Sequence, residues 1–306
     1  MTKVLVATDK PFAAIAVKGI REVVEAAGME LALLEKYTGK SQLLEAVKDV
    51  DALIVRSDVI DAEVLGAARK LKIVVRAGAG YDNVDLAAAT ARGICIMNTP
   101  GQNSNAVAEL VFGLLVYGAR GFYSATSGTE LKGRKLGILA FGNVGRNVAR
   151  IAKGFDMEVY AFDPYMPAKV IENDGVKALG SMAELFGACQ VVSLHIPATA
   201  ETKKSISYEL LKSMPQGAIL VNTARREVVD EDALKRIFEE RPDFKYLSDI
   251  QPTINAELAA GYPGRYFATP VKLGAQTAEA NINAGIASAR QIVDFIRNGN
   301  IQFKVN

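Results

Sequence analysis

The sequence predicts an α/β protein of two domains, each built on a parallel sheet, and three observations predict it. Short, nearly continuous apolar runs alternate with helical stretches along most of the chain; strands covered on both faces and joined by helical crossovers read this way. The alternation breaks at Pro100-Gly101-Gln102-Asn103-Ser104-Asn105 and begins again at Lys135. The 306 residues are too many for one ordinary core and suit two.

Residues 4–7 form a first strand. The helix over 11–27 that follows has Pro11 in its first turn and Gly28 just past its end, the expected punctuation. Strands come next at 31–34, 52–55, 73–75 and 94–97, with helices over 41–50 and 61–71 between them. After the break a long apolar helix runs to about Arg120, and the polar, small-residue stretch 124–129 is a candidate domain edge. The second series has strands at 136–141, 158–162, 191–196, 218–222 and 245–249. Its helices cover 143–153, 181–188, 207–214 and 230–239, and a last helix covers 277–298.

Half of the residues are hydrophobic and 23% are charged, which supplies two sizeable cores. The net charge is only +2, and the densest basic run, Lys132-Gly133-Arg134-Lys135, reads as a solvated turn rather than a nucleic-acid stripe. Cys95 and Cys189 each stand beside a strand-like run. They read as buried thiols in a reducing compartment, since two cysteines frame no disulfide scaffold. The N-terminus enters a strand at once, without a signal-peptide pattern, and the longest clean apolar run, 110–118, is far short of a membrane span. A cytoplasmic protein is expected, with no nucleic-acid or membrane partner and no metal.

The sharpest motif is Leu136-Gly137-Ile138-Leu139-Ala140-Phe141-Gly142-Asn143-Val144-Gly145, then a helix, then Val159-Tyr160-Ala161-Phe162-Asp163. This is strand, Gly-rich turn, helix, strand and acid, a Rossmann-like arrangement. Gly142, Asn143, Val144 and Gly145 would present the helix start to a pyrophosphate. Asp163 lies 18 residues past Gly145. A carboxylate there accepts hydrogen bonds from ribose hydroxyls and repels a 2′-phosphate, which favours NAD over NADP. The first glycine of the usual G-x-G-x-x-G is replaced by Ala140, which fits only if its φ suits a Cβ. The plain alternatives are an ordinary tight turn and, for Asp163, a helix N-cap or turn aspartate before Pro164. The full context of strand, helix and spaced acid favours the nucleotide.

Further motifs follow in order: Arg56-Ser57, Arg76-Ala77-Gly78-Ala79-Gly80-Tyr81-Asp82-Asn83-Val84-Asp85, the stretch from Pro100 to Glu109, Ser193-Leu194-His195-Ile196-Pro197, Val221-Asn222-Thr223-Ala224-Arg225 and Val229-Asp230-Glu231. Over essentially the whole chain this series resembles the D-isomer-specific 2-hydroxyacid dehydrogenases. Within that family it is most similar to the branch that oxidises D-3-phosphoglycerate, in a short form. The resemblance implies two Rossmann-like or flavodoxin-like domains. A discontinuous substrate domain would comprise 1–99 with 279–306, and an NAD-binding domain 100–278. It also implies an active site in the cleft and a homodimer through the NAD domains. The reaction implied is hydride transfer between NAD and C2 of a 2-hydroxy acid, in this branch a phosphorylated one. Substrate contacts would come from Arg56, Ser57, Arg76, Gly78, Ala79 and Gly80, with Lys72 on the same side. Ile196, Thr202, Thr223, Ala224 and Asp249 would serve the cofactor, Asp249 by touching the nicotinamide amide or by holding its loop. With nothing after Asn306, feedback through a C-terminal regulatory domain is not expected.

In the family an arginine holds the substrate, and a histidine paired to a glutamate moves the proton. The arginine is Arg225, at the C-terminal end of a predicted strand, where α/β sheets bind ligands. Its guanidinium suits a forked bond to a carboxylate; a surface ion pair with Asp230 or Glu231 is the weaker alternative. The proton-transfer pair departs from the pattern. The single histidine, His195, belongs to a different motif and is expected to be structural or to stand near the cofactor. The glutamate position falls on Ile254, with Glu257 the nearest acid. The histidine position falls on Lys272, or on Val271 after a one-residue shift, and the longer match favours Lys272. A lysine base must be neutral to take a proton; its ordinary pKa is about 10.4, and burial beside Arg225 would depress it. Lys272 is therefore the expected acid/base, the alternative being that it only binds a phosphate or carboxylate. Two other functions stay open: a glyoxylate or hydroxypyruvate reductase using the same site, and an NAD-sensing binding protein with vestigial catalysis. The missing histidine–glutamate pair favours the second and the intact Arg225 opposes it.

Overall fold

The computed structural model describes residues 1–306. In chain order the elements are β1 (Lys3–Thr8), α1 (Ala14–Ala26), β2 (Glu30–Glu35), α2 (Lys40–Ala46), β3 (Ala52–Val55), α3 (Ala62–Ala67), β4 (Ile73–Arg76), α4 (Leu86–Ala91), β5 (Cys95–Asn98), α5 (Ser104–Ala119), β6 (Lys135–Leu139) and α6 (Asn143–Gly154). Then come β7 (Glu158–Phe162), α7 (Ala168–Asn173), β8 (Lys177–Ala178), α8 (Met182–Ala188), β9 (Val191–Leu194), α9 (Tyr208–Ser213), β10 (Ile219–Asn222), α10 (Glu231–Glu240), β11 (Lys245–Ser248), α11 (Asn255–Gly261), β12 (Tyr266–Ala268) and α12 (Ala278–Asn298). They form two compact units, 1–103 with 276–306, and 104–275. The polar stretch 124–129 lies inside the second unit and marks no border.

In the first unit five parallel strands run in the order β2-β1-β3-β4-β5. One face of the sheet buries Val4, Val6, Ile54, Ile73 and Val75 against α1 and α12. The other buries Leu5, Leu53, Val55 and Val74 against α2 and α3. Both faces being covered is why these strands read as unbroken apolar runs; each fully buried Leu or Ile contributes about 1.5–3 kcal/mol. Two glycines let α1 and α12 approach. A Cβ on Gly285 would lie 3.0 Å from Ile20 Cδ1, and one on Gly19 would lie 2.7 Å from Ile286 Cδ1. The α12 start is set by the Thr277 side chain, which accepts from Ala280 N, and its end by Gly299 at φ 67°.

The second unit has seven parallel strands in the order β12-β11-β10-β9-β6-β7-β8. The order reverses between β6 and β9, the switch point at which such sheets bind ligands beyond their C-terminal strand ends. The α5 helix is apolar on most of its surface because it is a core element: Val111, Phe112 and Leu115 pack with Leu136, Ile138, Val221 and Leu247. Leu185, Phe186, Leu211, Leu234 and Phe238 fill the opposite layer. The edge strands β8 and β12, too short to show an apolar run, were not expected from the sequence. The basic run at 132–135 does form a turn, with Gly133 at φ 71° and its N–H on Asp156 O. Both cysteines are free and buried, and burial pushes the Cys189 thiol up to about 12. No helix is long and apolar enough to cross a membrane.

Candidate active site

The Gly-rich turn stands at the switch point, between β6 and α6. Gly142 is the N-cap residue of α6, with no side chain to cap it and no acid in the first turn. The first N–H groups of the helix are therefore left for a ligand, as the macrodipole favours for an anion. Gly145 is sterically required, because a Cβ there would run into the Ala140 carbonyl oxygen and sit 3.0 Å from Ile138 Cγ2. A Cβ on Gly142 would meet no protein atom within 4 Å, so that glycine leaves open space in front of the helix. Ala140 takes φ 74°. The turn keeps the left-handed conformation proper to glycine, and the alanine is accommodated with strain of about 1–2 kcal/mol. Asp163 closes β7 and is tied to the turn: one oxygen accepts from Phe141 N at 2.8 Å and the other from Tyr165 N at 2.9 Å. Each oxygen keeps a lone pair for a ribose hydroxyl.

Thr223, at the end of β10, buries a hydroxyl that has no protein partner. With the open space at Gly142, this orphaned group fits a bound dinucleotide. Ala224, the next residue, is buried, as is Ile196 in the motif after β9. Thr202 is taken up locally, its hydroxyl donating to Pro197 O at 2.5 Å and accepting from Thr199 N. His195 shares a 2.9 Å hydrogen bond with the buried Ser193 hydroxyl, and burial pushes its pKa down to about 3. The bond ties the ring to its own strand end, and His195 is not among the residues lining the cleft described next.

Arg225 and Lys272 come together at a cleft of ≈ 270 Å³ lined by Arg225, Arg226, Glu227, Gln251, Thr269 and Lys272, among others. Both cations donate to one carbonyl, Ala224 O, the guanidinium from 3.0 Å and the ammonium from 3.5 Å. Two buried side chains hold this geometry. Asn222 is fully buried; its oxygen accepts from Ala224 N and its amide donates to Arg225 O, each at 3.0 Å. Asp249 is fully buried as well. One of its oxygens accepts from Thr269 Oγ1 at 2.9 Å and Leu273 N at 2.8 Å, and the other from Gly274 N at 2.7 Å. Of the two roles expected for Asp249, the geometry displays loop holding, on the loop that carries Lys272. The expected burial of Lys272 is not found: the residue is exposed. Val271 also points outward, at 63% exposure. Glu257 is bound to Lys235 at 2.6 Å and lines no part of the cleft. Asn222, Glu227, Gln251 and Thr269 were missed as site residues; Glu227 had only its place two residues after Arg225 to point to it.

In the first unit the strand ends carry the other expected residues. Arg56 is half-buried, its guanidinium bonded to Lys10 O at 2.9 Å and Asn281 Oδ1 at 2.6 Å, and stacked 5.2 Å from the Phe12 ring centroid. Arg76 Nε donates to Arg56 O at 3.1 Å. The Arg76 side chain lies over Gly78, whose φ is 147° and where a Cβ would collide with the guanidinium. Asn98 Nδ2 holds the loop by donating to Ala79 O, and Thr99 N donates to Gly78 O. The N–H groups of Ala79 and Gly80 donate to no protein acceptor. Ser57, which follows Arg56, is exposed. Lys72 corrects the sequence reading. It precedes the N-terminal end of β4, whereas Arg76 is at the C-terminal end, and it pairs with Asp51 at 3.2 Å.

Comparison with known proteins gives a consistent picture. Residues 117–256 match the model of the D-isomer specific 2-hydroxyacid dehydrogenase, NAD binding domain. A D-3-phosphoglycerate dehydrogenase of Methanocaldococcus jannaschii is 35% identical over 97% of this chain, which spans 58% of that relative's length. A hydroxypyruvate reductase of Thermotoga maritima is 35% identical over 86% of this chain and 90% of the relative. The crystal structure of NAD+-bound 3-phosphoglycerate dehydrogenase from Entamoeba histolytica superposes with a TM-score of 0.90 at 48% identity, covering 100% of this chain and 98% of that one.

Proposed function

The chain belongs to the D-isomer specific 2-hydroxyacid dehydrogenases, with their NAD-binding domain, and from that premise we propose that it oxidises D-3-phosphoglycerate. The observation that carries the reading is the shared Ala224 carbonyl, which sets Arg225 and Lys272 side by side at the end of β10. NAD, when bound, accepts the hydride from C2 of the hydroxy acid. Arg225 then holds the carboxylate and polarises the carbonyl that forms. Lys272, neutral, takes the hydroxyl proton; as an ammonium it returns that proton in the reverse direction. The open N–H groups of Ala79 and Gly80 offer a site for a substrate oxyanion, and Arg76 supplies charge for a phosphate. Arg56 is largely committed to its own unit and positions Arg76 through its carbonyl. Buried free thiols suit a cytoplasmic protein, and a homodimer is the expected assembly.

A second reading has its own support, because the hydroxypyruvate reductase is matched over 90% of its length. NADH formation followed with D-3-phosphoglycerate and a panel of unphosphorylated D-2-hydroxy acids, from neutral to alkaline pH, separates them. Preference for the phosphorylated acid is expected. Preference for the unphosphorylated acids would establish the reductase, and no turnover with NAD still bound would establish a binding protein.

A further inference from the structure

We propose that Glu227 is the carboxylate partner of Lys272, standing where the chain lacks the expected glutamate; the proposal rests on Lys272 being the acid/base. Three observations carry it. Ile254, at the glutamate position, packs against the hydrophobic layer of the second unit. Glu257 is held away by Lys235. Glu227 lines the same ≈ 270 Å³ cleft as Lys272 and Arg225.

The backbone fixes where that carboxylate starts. Arg226–Val228 form a 3₁₀ turn, and Lys204 N donates to Glu227 O at 2.8 Å. The Lys272 ammonium reaches Ala224 O at 3.5 Å, three residues earlier in the same segment. The Glu227 side chain is 45% exposed and meets Arg226 Nε at 3.4 Å. That is a long contact through one nitrogen, and it leaves the carboxylate able to face the cleft. The charged side chains of the lining are Arg225, Arg226, Glu227 and Lys272; the remaining ones are neutral, and the buried Asp249 carboxylate lies under the loop.

Two guanidinium groups disfavour an ammonium beside them, and a carboxylate on the same wall offsets them. During oxidation the substrate O–H bond breaks, an N–H bond forms on Lys272, and the C2 hydride passes to NAD. Glu227 stabilises the ammonium as it appears. It acts through Lys272 and is a positioning residue, so its signature is a displaced pH profile.

The test is the pH dependence of kcat for D-3-phosphoglycerate oxidation by the full chain at saturating NAD, with NAD affinity measured alongside. Oxidation rises with pH as Lys272 loses its proton. Glu227→Gln is expected to move that rise down by about 0.5 pH, a modest shift because the groups are partly exposed. Glu227→Asp should restore it, Arg226→Ala should move it up, and Lys272→Ala should abolish it. A Glu227→Gln profile on top of wild type, with the rise lost in Lys272→Ala, overturns this proposal and leaves Lys272 in place. A rise that survives Lys272→Ala, or a wild-type chain without turnover, overturns both.

Discussion

The Gly-rich turn and the Lys272 cleft belong to the same seven-stranded sheet, yet they are built by different means. The turn is one stretch of backbone, residues 140–145, whose shape follows from which positions carry a Cβ. The cleft is assembled from three separated segments, around 225–227, 250–251 and 269–272. Nothing local aligns these segments. Buried polar side chains shape and join them: Asn222 bonds the backbone of Ala224 and Arg225 within the first segment, and Asp249 reaches 24 and 25 residues along the chain to Leu273 N and Gly274 N. A contiguous site fails one position at a time, whereas an assembled site fails at its anchors.

The most severe break of that comparison is therefore expected at Asp249, a residue that need not touch the reacting atoms. Asp249→Ala leaves the Thr269 hydroxyl and the N–H groups of Leu273 and Gly274 without their acceptor. Each buried orphan costs about 1–3 kcal/mol, part of it recovered as the loop relaxes into water. A loss of about 3 kcal/mol in urea-induced unfolding is expected, with kcat down about 100-fold because Lys272 is displaced. Unchanged stability would show that the loop holds itself, and the contrast with the turn would disappear.

The same contrast explains what the sequence disclosed. Strand-turn-helix-strand and the spaced Asp163 lie within 28 residues of one another, so periodicity and turn chemistry reveal them together. The apolar strands were legible for the same reason, whereas the Thr277 cap was not read from the sequence, which places Thr277 inside the last helix. The Asp249 contacts reach across 20 to 25 residues to backbone N–H and hydroxyl groups that carry no pattern. Lys72 shows the limit from the other side: the sequence groups it with Arg76, but the strand between them carries the two to its opposite ends. Glu227 was hidden by its surroundings, an acid after two arginines that reads as surface charge until the cleft places it.

Within the turn, two glycines should separate folding from binding. Gly145→Ala forces a Cβ into the Ala140 carbonyl, so a stability loss of about 1–3 kcal/mol is expected, together with NAD affinity weaker by about 100-fold. Gly142→Ala meets no protein atom and has φ −78°, ordinary for any residue. Its stability should stay within about 0.5 kcal/mol of wild type. NAD should still bind about tenfold more weakly, because the methyl occupies the approach to the helix start. Thermal melting without NAD and fluorescence titration with it measure the two quantities. Equal stability losses for both variants would mean that the turn is packed on all sides and reserves no space for a ligand.

The smallest effect is expected at Ala140, where the turn departs from glycine. Ala140→Gly relieves about 1–2 kcal/mol of left-handed strain at φ 74°. Against this, the added glycine raises the entropy of the unfolded chain by about 0.4–1 kcal/mol. The lost methyl, partly buried against the layer that includes Leu139 and Leu194, gives up a further part of the roughly 0.8 kcal/mol that a fully buried group contributes. The three effects nearly cancel, so stability should change by less than about 0.5 kcal/mol, and NAD affinity by less than about twofold. A stabilisation well above about 1 kcal/mol would show that the alanine carries uncompensated strain. The expected near-neutrality accounts for the alanine physically: its methyl packs where the missing glycine would have left a gap, and the carbonyl against which Gly145 must close stays in place.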